Sequence, residues 1–166
     1  PYTCNSEYLK IVTNVAKEHN LPLTIHLSES LKEISDIKAA YGMSPIQLMK
    51  EIGLFDVPTI AAHCVQLSDK DIEILAECGV VVASNPISNA KLANGFAPLT
   101  KMKKAGVNIS IGTDSAASNN TLNMFTDMNF AALVHKGNEH DPLAVSASDV
   151  LNYVFLCGEK AMGKKV

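Results

Sequence analysis

The sequence predicts an α/β fold built on a parallel sheet, and three observations predict it. Short apolar runs recur along the chain, each ends in polar residues, and helical stretches lie between them. Strand, helix, strand, helix is the order a parallel sheet requires, because each parallel pair needs a crossover. A barrel of eight such units takes about 250 residues. The 166 residues here therefore hold about four strands with their helices, half of a TIM-barrel-type (β/α)8 architecture. No linker, repeat or low-complexity tract divides 1–166, which reads as one unit.

Each element has its own justification. "SEYLKIVTNVAKEHN" (Ser6 to Asn20) places Leu9, Val12, Val15 and Ala16 on one helical stripe. "LPLTIH" (Leu21 to His26) reads as the first strand. Ser44, Pro45 and Gln47 supply an N-cap, a first-turn proline and a third-position partner for a helix that Gly53 ends. "VPTIAAH" (Val57 to His63) is the second strand. Ser68 and Asp71 form a capping-box pattern, Ile72, Leu75 and Ala76 an apolar stripe, and Gly79 a stop. "GVVVAS" (Gly79 to Ser84) and "GVNISIGTD" (Gly106 to Asp114) give the third and fourth strands. These runs are mostly β-branched, as strands buried on both faces should be. Helices are predicted over Thr121 to His135 and Ala147 to Phe155.

Composition narrows the function. At 47% hydrophobic and 19% charged the chain reads as globular rather than disordered. No apolar run approaches the roughly 20 residues that span a bilayer, and no basic-then-apolar leader is present. All 14 basic residues are lysine. Nucleic-acid readers lean on arginine for bidentate contacts, so nucleic acid is not expected as a partner. Cys4, Cys64, Cys78 and Cys157 include no C-x-x-C pair, which argues against a zinc ribbon or redox dithiol. Their even number permits two disulfides, but nothing else suggests secretion, and a reducing, cytoplasmic setting is expected. The opening "PYTC" in place of methionine, and the closing "GKKV", lead us to expect a segment of a longer chain.

In a parallel sheet built from right-handed crossovers, all carboxyl ends point one way. His26, His63, Ser84 and Asp114 end the four strand runs, so the fold alone would gather them on the face where barrels hold active sites. Two imidazoles and a carboxylate suit zinc or another borderline divalent metal. Taken singly, each residue has a plainer reading. A lone His26 or His63 is more often a hydrogen-bonded core histidine, Asp114 a cap, and Glu29 a solvated first-turn residue. The same odd event at three strand ends favours the metal. His19, His135 and His140 read as surface residues.

Four stretches, "IHLSE" (Ile25 to Glu29), "AAHCVQLSDKDI" (Ala61 to Ile72), "SNPISNAKLANGFAPL" (Ser84 to Leu99) and "IGTDSAASNNTLNMFTDM" (Ile111 to Met128), resemble the amidohydrolase superfamily. The branch they look most like contains 5-methylthioadenosine/S-adenosylhomocysteine deaminases and chlorotriazine hydrolases. The resemblance covers the whole chain in order, and "PYTC" is similar to the segment after the family's fourth strand. It implies strands 5 to 8 of a metal-dependent hydrolase barrel, with 1–166 as its C-terminal half. It further implies a divalent metal, zinc before iron, ligated by His26, His63 and Asp114. Glu29 would shuttle a proton to a ring nitrogen, and Asp114 would accept one from water. In single-metal members the residue matching His63 holds the attacking water. Ser84, Asn85, Ser88 and Asn89 fall where the family's seventh-strand loop borders the substrate.

The implied partner is a nucleoside or heterocyclic amine, and a homo-oligomer is the expected assembly. The family's first-strand H-x-H, two further ligands, is absent from this sequence. The segment alone is therefore expected to bind metal weakly and turn over little. The alternatives are guanine, cytosine or halotriazine chemistry on the same catalytic set, or a non-catalytic half-barrel module. A flavodoxin-like phosphate binder fits poorly, because no G-x-G-x-x-G turn is present.

Overall fold

The computed structural model describes residues 3–161. Pro1 and Tyr2 of the opening segment, and the closing "GKKV", lie outside the described residues. Four strands, β1 (Leu23–Leu27), β2 (Thr59–His63), β3 (Val81–Ser84) and β4 (Asn108–Ile111), form one sheet in sequential order, every pair parallel. Helices α1 (Ser6–Glu18), α2 (Leu31–Tyr41), α3 (Pro45–Glu51), α4 (Asp69–Glu77), α5 (Pro86–Lys91) and α6 (Leu99–Lys104) precede and connect the strands. Beyond β4 lie α7 (Ala116–Asn119), α8 (Met124–Glu139) and α9 (Ala147–Ala161). This is the parallel α/β arc that the sequence predicts, the TIM-barrel-type arrangement in partial form. No described helix is long and apolar enough to cross a membrane.

The caps are where the sequence places them. Ser44 and Ser68 each accept the amide three residues on, while Gln47 and Asp71 answer to the cap backbones. The Ser44 hydroxyl also donates to Asp71, which ties the start of α3 to that of α4. Strand β1 begins later than its apolar run. The Leu21 amide closes α1 onto the Ala16 carbonyl at 2.9 Å, so pairing starts only after Pro22. The stripe on α1 also differs from expectation. Leu9, Thr13 and Ala16 are buried and Val15 is exposed, because a 3.6-residue period favours positions 9, 13 and 16. The Thr13 hydroxyl donates to the Leu9 carbonyl at 2.8 Å, which removes the cost of burying it.

One core joins sheet and helices. Leu27, Ala61, Val82, Ile109 and Ile111 from the strands meet Ile46 and Met49 of α3, Leu75 of α4, and Leu99 and Met102 of α6. Each such Leu or Ile contributes about 1.5 to 3 kcal/mol by leaving water. The first strand is an edge with alternating exposure rather than burial on both faces. The four cysteines are free thiols.

His135, expected at the surface, is buried instead, with Phe96 edge-on at 6.2 Å and its Nδ1 3.5 Å from Glu139. Glu139 also accepts from the Thr100 hydroxyl at 2.9 Å, so α6 and α8 share this polar contact. Burial pushes the His135 pKa down, and Glu139 only partly opposes it. The unfolded chain takes up this proton near pH 6.5, while the folded chain does so only at lower pH. Stability contributed here is therefore present above pH 6.5 and lost as pH falls below it. Guanidinium midpoints between pH 7 and 5 should fall more steeply for the native protein than for His135→Gln, and equal slopes would refute this.

Candidate metal and active site

Three side chains expected at the strand ends converge. Each of His26, His63 and Asp114 offers a ligand atom, and these atoms lie within 4.8 Å of one another. The imidazoles of His26 and His63 are 5.0 Å apart. Simple strand geometry would not have produced this. His26 pairs with Ala62 and Leu27 with His63, so strict alternation would send the two imidazoles to opposite faces. His63 escapes alternation through a left-handed backbone, φ 71°, followed by Cys64 at φ 50°. Ser28 (φ 52°) and Asp114 (φ 59°) are left-handed as well. Non-glycine residues held this way each cost of order 1 to 3 kcal/mol, and they cluster at functional sites.

Hydrogen bonds across the strand ends hold these turns. The Cys64 amide donates to Leu27, the Val65 and Gln66 amides both donate to the Ser28 carbonyl, and the Gly112 amide donates to Ser84 at 2.8 Å. That last bond ends the β4 ladder, so Asp114 stands three residues past the strand rather than within it as the sequence suggests. A Cβ at position 112 would lie 2.5 Å from Asn85 Oδ1, which is why glycine is needed there. Glu33, buried, accepts the amides of Ser28 (3.0 Å) and Glu29 (2.8 Å) with its two oxygens. The clue to it was the spacing of Ser30 and Glu33, a capping pattern just after the first strand.

His63 is buried behind the open face, and its Nδ1 meets Asn89 Oδ1 at 2.9 Å. Asn85 Nδ2 is also near, at 3.4 Å. The shorter contact governs. Because the Asn89 carbonyl oxygen can only accept, Nδ1 carries the proton and Nε2 keeps its lone pair. That Nε2 lies 3.8 Å from Glu29 Oε2. Both atoms can offer an electron pair to a cation placed between them.

Asp114 is half-buried and accepts from the hydroxyls of Ser88 (2.6 Å) and Ser118 (2.8 Å). Burial alone would raise its pKa, but Ser88, Ser118, the Ser115 amide and nearby His63 together hold it below the ordinary aspartate value. Ser84, Asn85 and Asn89 are all buried, and the Asn89 side-chain oxygen bonds His63. Ser118 escaped notice in the sequence, as did Asn119, which donates to the Thr113 carbonyl and to the buried Asp127. Nothing in the pattern "GTDSAASNN" distinguishes them from ordinary loop residues.

The family model described as the amidohydrolase family matches residues 1–166. The chain belongs to the amidohydrolase family. It is 51% identical over 162 residues to a 5-methylthioadenosine/S-adenosylhomocysteine deaminase of Thermoanaerobacter pseudethanolicus, covering 98% of this chain and 38% of that protein. It is 44% identical over 166 residues to a 5'-deoxyadenosine deaminase of Methanocaldococcus jannaschii, covering 99% of this chain and 40% of that one. Among solved structures, an adenosine deaminase from Xanthomonas campestris with bound zinc superposes with a TM-score of 0.93 at 38% identity. That match covers 98% of this chain and 37% of its own. A guanine deaminase from C. acetobutylicum with bound guanine gives 0.89 at 26% identity, covering 96% and 40%. The chain thus spans about two-fifths of the length of these relatives.

Proposed function

We propose that this chain is the C-terminal half of a metal-dependent hydrolase barrel whose intact protein deaminates an adenosine-type thioether nucleoside. The observation behind this reading is the convergence of His26, His63 and Asp114 within 4.8 Å, with Glu29 beside them. Two imidazoles and a carboxylate form a donor set that zinc accepts well, with iron as the alternative. The free lone pair on His63 Nε2, fixed by Asn89, is what a ligating histidine requires. When bound, a divalent cation supplies Lewis-acid polarisation and makes water acidic near neutral pH.

The chain's own residues supply the proton traffic. Water adds to the ring carbon bearing the amino group, and ammonia leaves. Asp114, kept anionic by its hydroxyl donors, accepts the proton that water gives up and passes it to the departing nitrogen. Glu29 delivers a proton to the adjacent ring nitrogen, so that the tetrahedral adduct carries no full negative charge there, and regains one from the adduct's hydroxyl as the carbonyl forms and ammonia leaves. Each positioned transfer typically contributes about 10² to 10⁴-fold. Asn85 and Asn89 both lie beside His63, and we assign Asn89, whose Oδ1 accepts from Nδ1, to orienting it. Substrate contact, expected of them and of Ser84 from the sequence, would be secondary.

The nucleoside class is supported by the names of the relatives, among them methylthioadenosine/adenosylhomocysteine and 5'-deoxyadenosine deaminases. A homo-oligomer in the cytoplasm completes the reading. The exposed Tyr8, Ile11 and Val15 of α1 form an apolar stripe that a second copy or the rest of the barrel would cover. The test is ammonia release by the intact gene product, stripped of metal and then given zinc or iron. The substrates are methylthioadenosine, adenosylhomocysteine, adenosine, guanine and cytosine. Release from the adenosine-type compounds is expected. Release from guanine or cytosine alone would overturn the substrate, and none from any would favour a non-catalytic module.

A further inference from the structure

We infer that Asn94 is a positioning residue for Glu29, fixing which carboxylate oxygen faces the ligand cluster. The inference rests on the reading of Glu29 as the proton carrier. The Asn94 side-chain amide donates to Glu29 Oε1 at 3.0 Å, across 65 residues of sequence. Glu29 Oε2 is then the oxygen turned toward His63 Nε2, at 3.8 Å. The amide N–H group has no lone pair to offer. The bond occupies Oε1 with a donor and leaves Oε2, the oxygen that faces the cluster, as the better place for a proton.

Asn94 is itself held firmly. Its own amide donates to the Asn89 carbonyl at 2.9 Å, and its carbonyl accepts from Gln66 Nε2 at 2.7 Å. It sits between Ala93 (φ 56°) and Gly95 (φ 96°), in a tight turn between α5 and α6. The Gln66 amide donates in turn to the Ser28 carbonyl at 2.8 Å, and Ser28 precedes Glu29. Glu29, Ser28, Gln66 and Asn94 therefore close a ring that links the loops after β1, β2 and β3. Glu33 anchors the same ring from behind through the Ser28 and Glu29 amides. A surface asparagine making one incidental contact would not be tied at both its amide and its carbonyl.

The test uses the intact, metal-loaded protein. Asn94→Ala should lower kcat by about 10- to 100-fold, the worth of one hydrogen bond to a charged group, with KM, metal content and melting temperature close to the parent. In a Glu29→Gln background, Asn94→Ala should cost little more, because no proton is then carried for it to direct. An Asn94→Ala loss equal in both backgrounds, or a kcat within twofold of the parent, would overturn the inference. A second readout does not depend on turnover. With ¹⁵N-labelled asparagine, the Asn94 side-chain amide protons, assigned by their loss in Asn94→Ala, should move upfield on Glu29→Ala. An unmoved resonance overturns the inference whatever the kinetics. If Glu29→Gln leaves kcat unchanged, the proton-carrier reading fails separately, and the resonance still decides whether Asn94 holds Glu29.

Discussion

Replacing Asp114 with asparagine in the intact protein is expected to cost most of the activity and most of the bound metal together. The two side chains have nearly the same shape, and the amide oxygen can still accept from Ser88 or Ser118, now at 2.6 and 2.8 Å. What disappears is charge. Asp114 is the carboxylate of a candidate ligand set whose other members are imidazoles, which bind a cation as uncharged ligands, and its environment holds its pKa low. Asparagine can neither balance a cation nor accept the proton that water gives up. Losing the proton role alone predicts a drop of roughly 10² to 10⁴-fold in kcat, and the weakened ligand set adds to it. Elemental analysis, ammonia release and circular dichroism on the same preparation check this. Full metal content with kcat within tenfold of the parent would refute the assignment of Asp114.

Much of the architecture was legible because it depends on local pattern. Four β-branched runs ending in polar residues specify a parallel sheet, and the caps at Ser44 and Ser68 fall on the residues that named them. The helix Leu31–Tyr41 is not among the predicted elements, although Ser30 caps its start and Gly42 takes the left-handed stop at its end. What local pattern does not contain is backbone strain and burial decided by distant partners. Strand periodicity places His63 on the wrong face, and only its positive φ brings it to His26. His135 looks like any helical histidine until Phe96, Thr100 and Glu139 are seen around it. The polar "SNPISN" stretch does not reveal that the Asn89 side-chain oxygen accepts from His63 Nδ1. Buried polar groups need partners, and sequence does not say which partner wins.

Glu29→Gln should separate proton delivery from metal binding. The substitution changes none of the proposed ligands, His26, His63 and Asp114, so metal content should equal the parent's. It also preserves local shape, because glutamine Oε1 still accepts from Asn94 as Glu29 does at 3.0 Å. The Glu33 bond to the residue-29 amide, at 2.8 Å, is a backbone contact and survives. The remaining difference is that an amide cannot give up a proton to a ring nitrogen at neutral pH. The expected result is kcat lower by about 10² to 10⁴-fold with KM within a few-fold, the pattern of an interaction made only in the transition state. A parallel fall in metal content would instead mark Glu29 as part of the ligand shell, and a kcat within tenfold would remove it from the chemistry. Together with Asp114→Asn, which should lose both metal and turnover, this variant divides the acidic pair by role. One carboxylate sits in the candidate ligand cluster with its Oδ2 held by two serine hydroxyls. The other is steered by an asparagine amide so that a single oxygen faces the cluster.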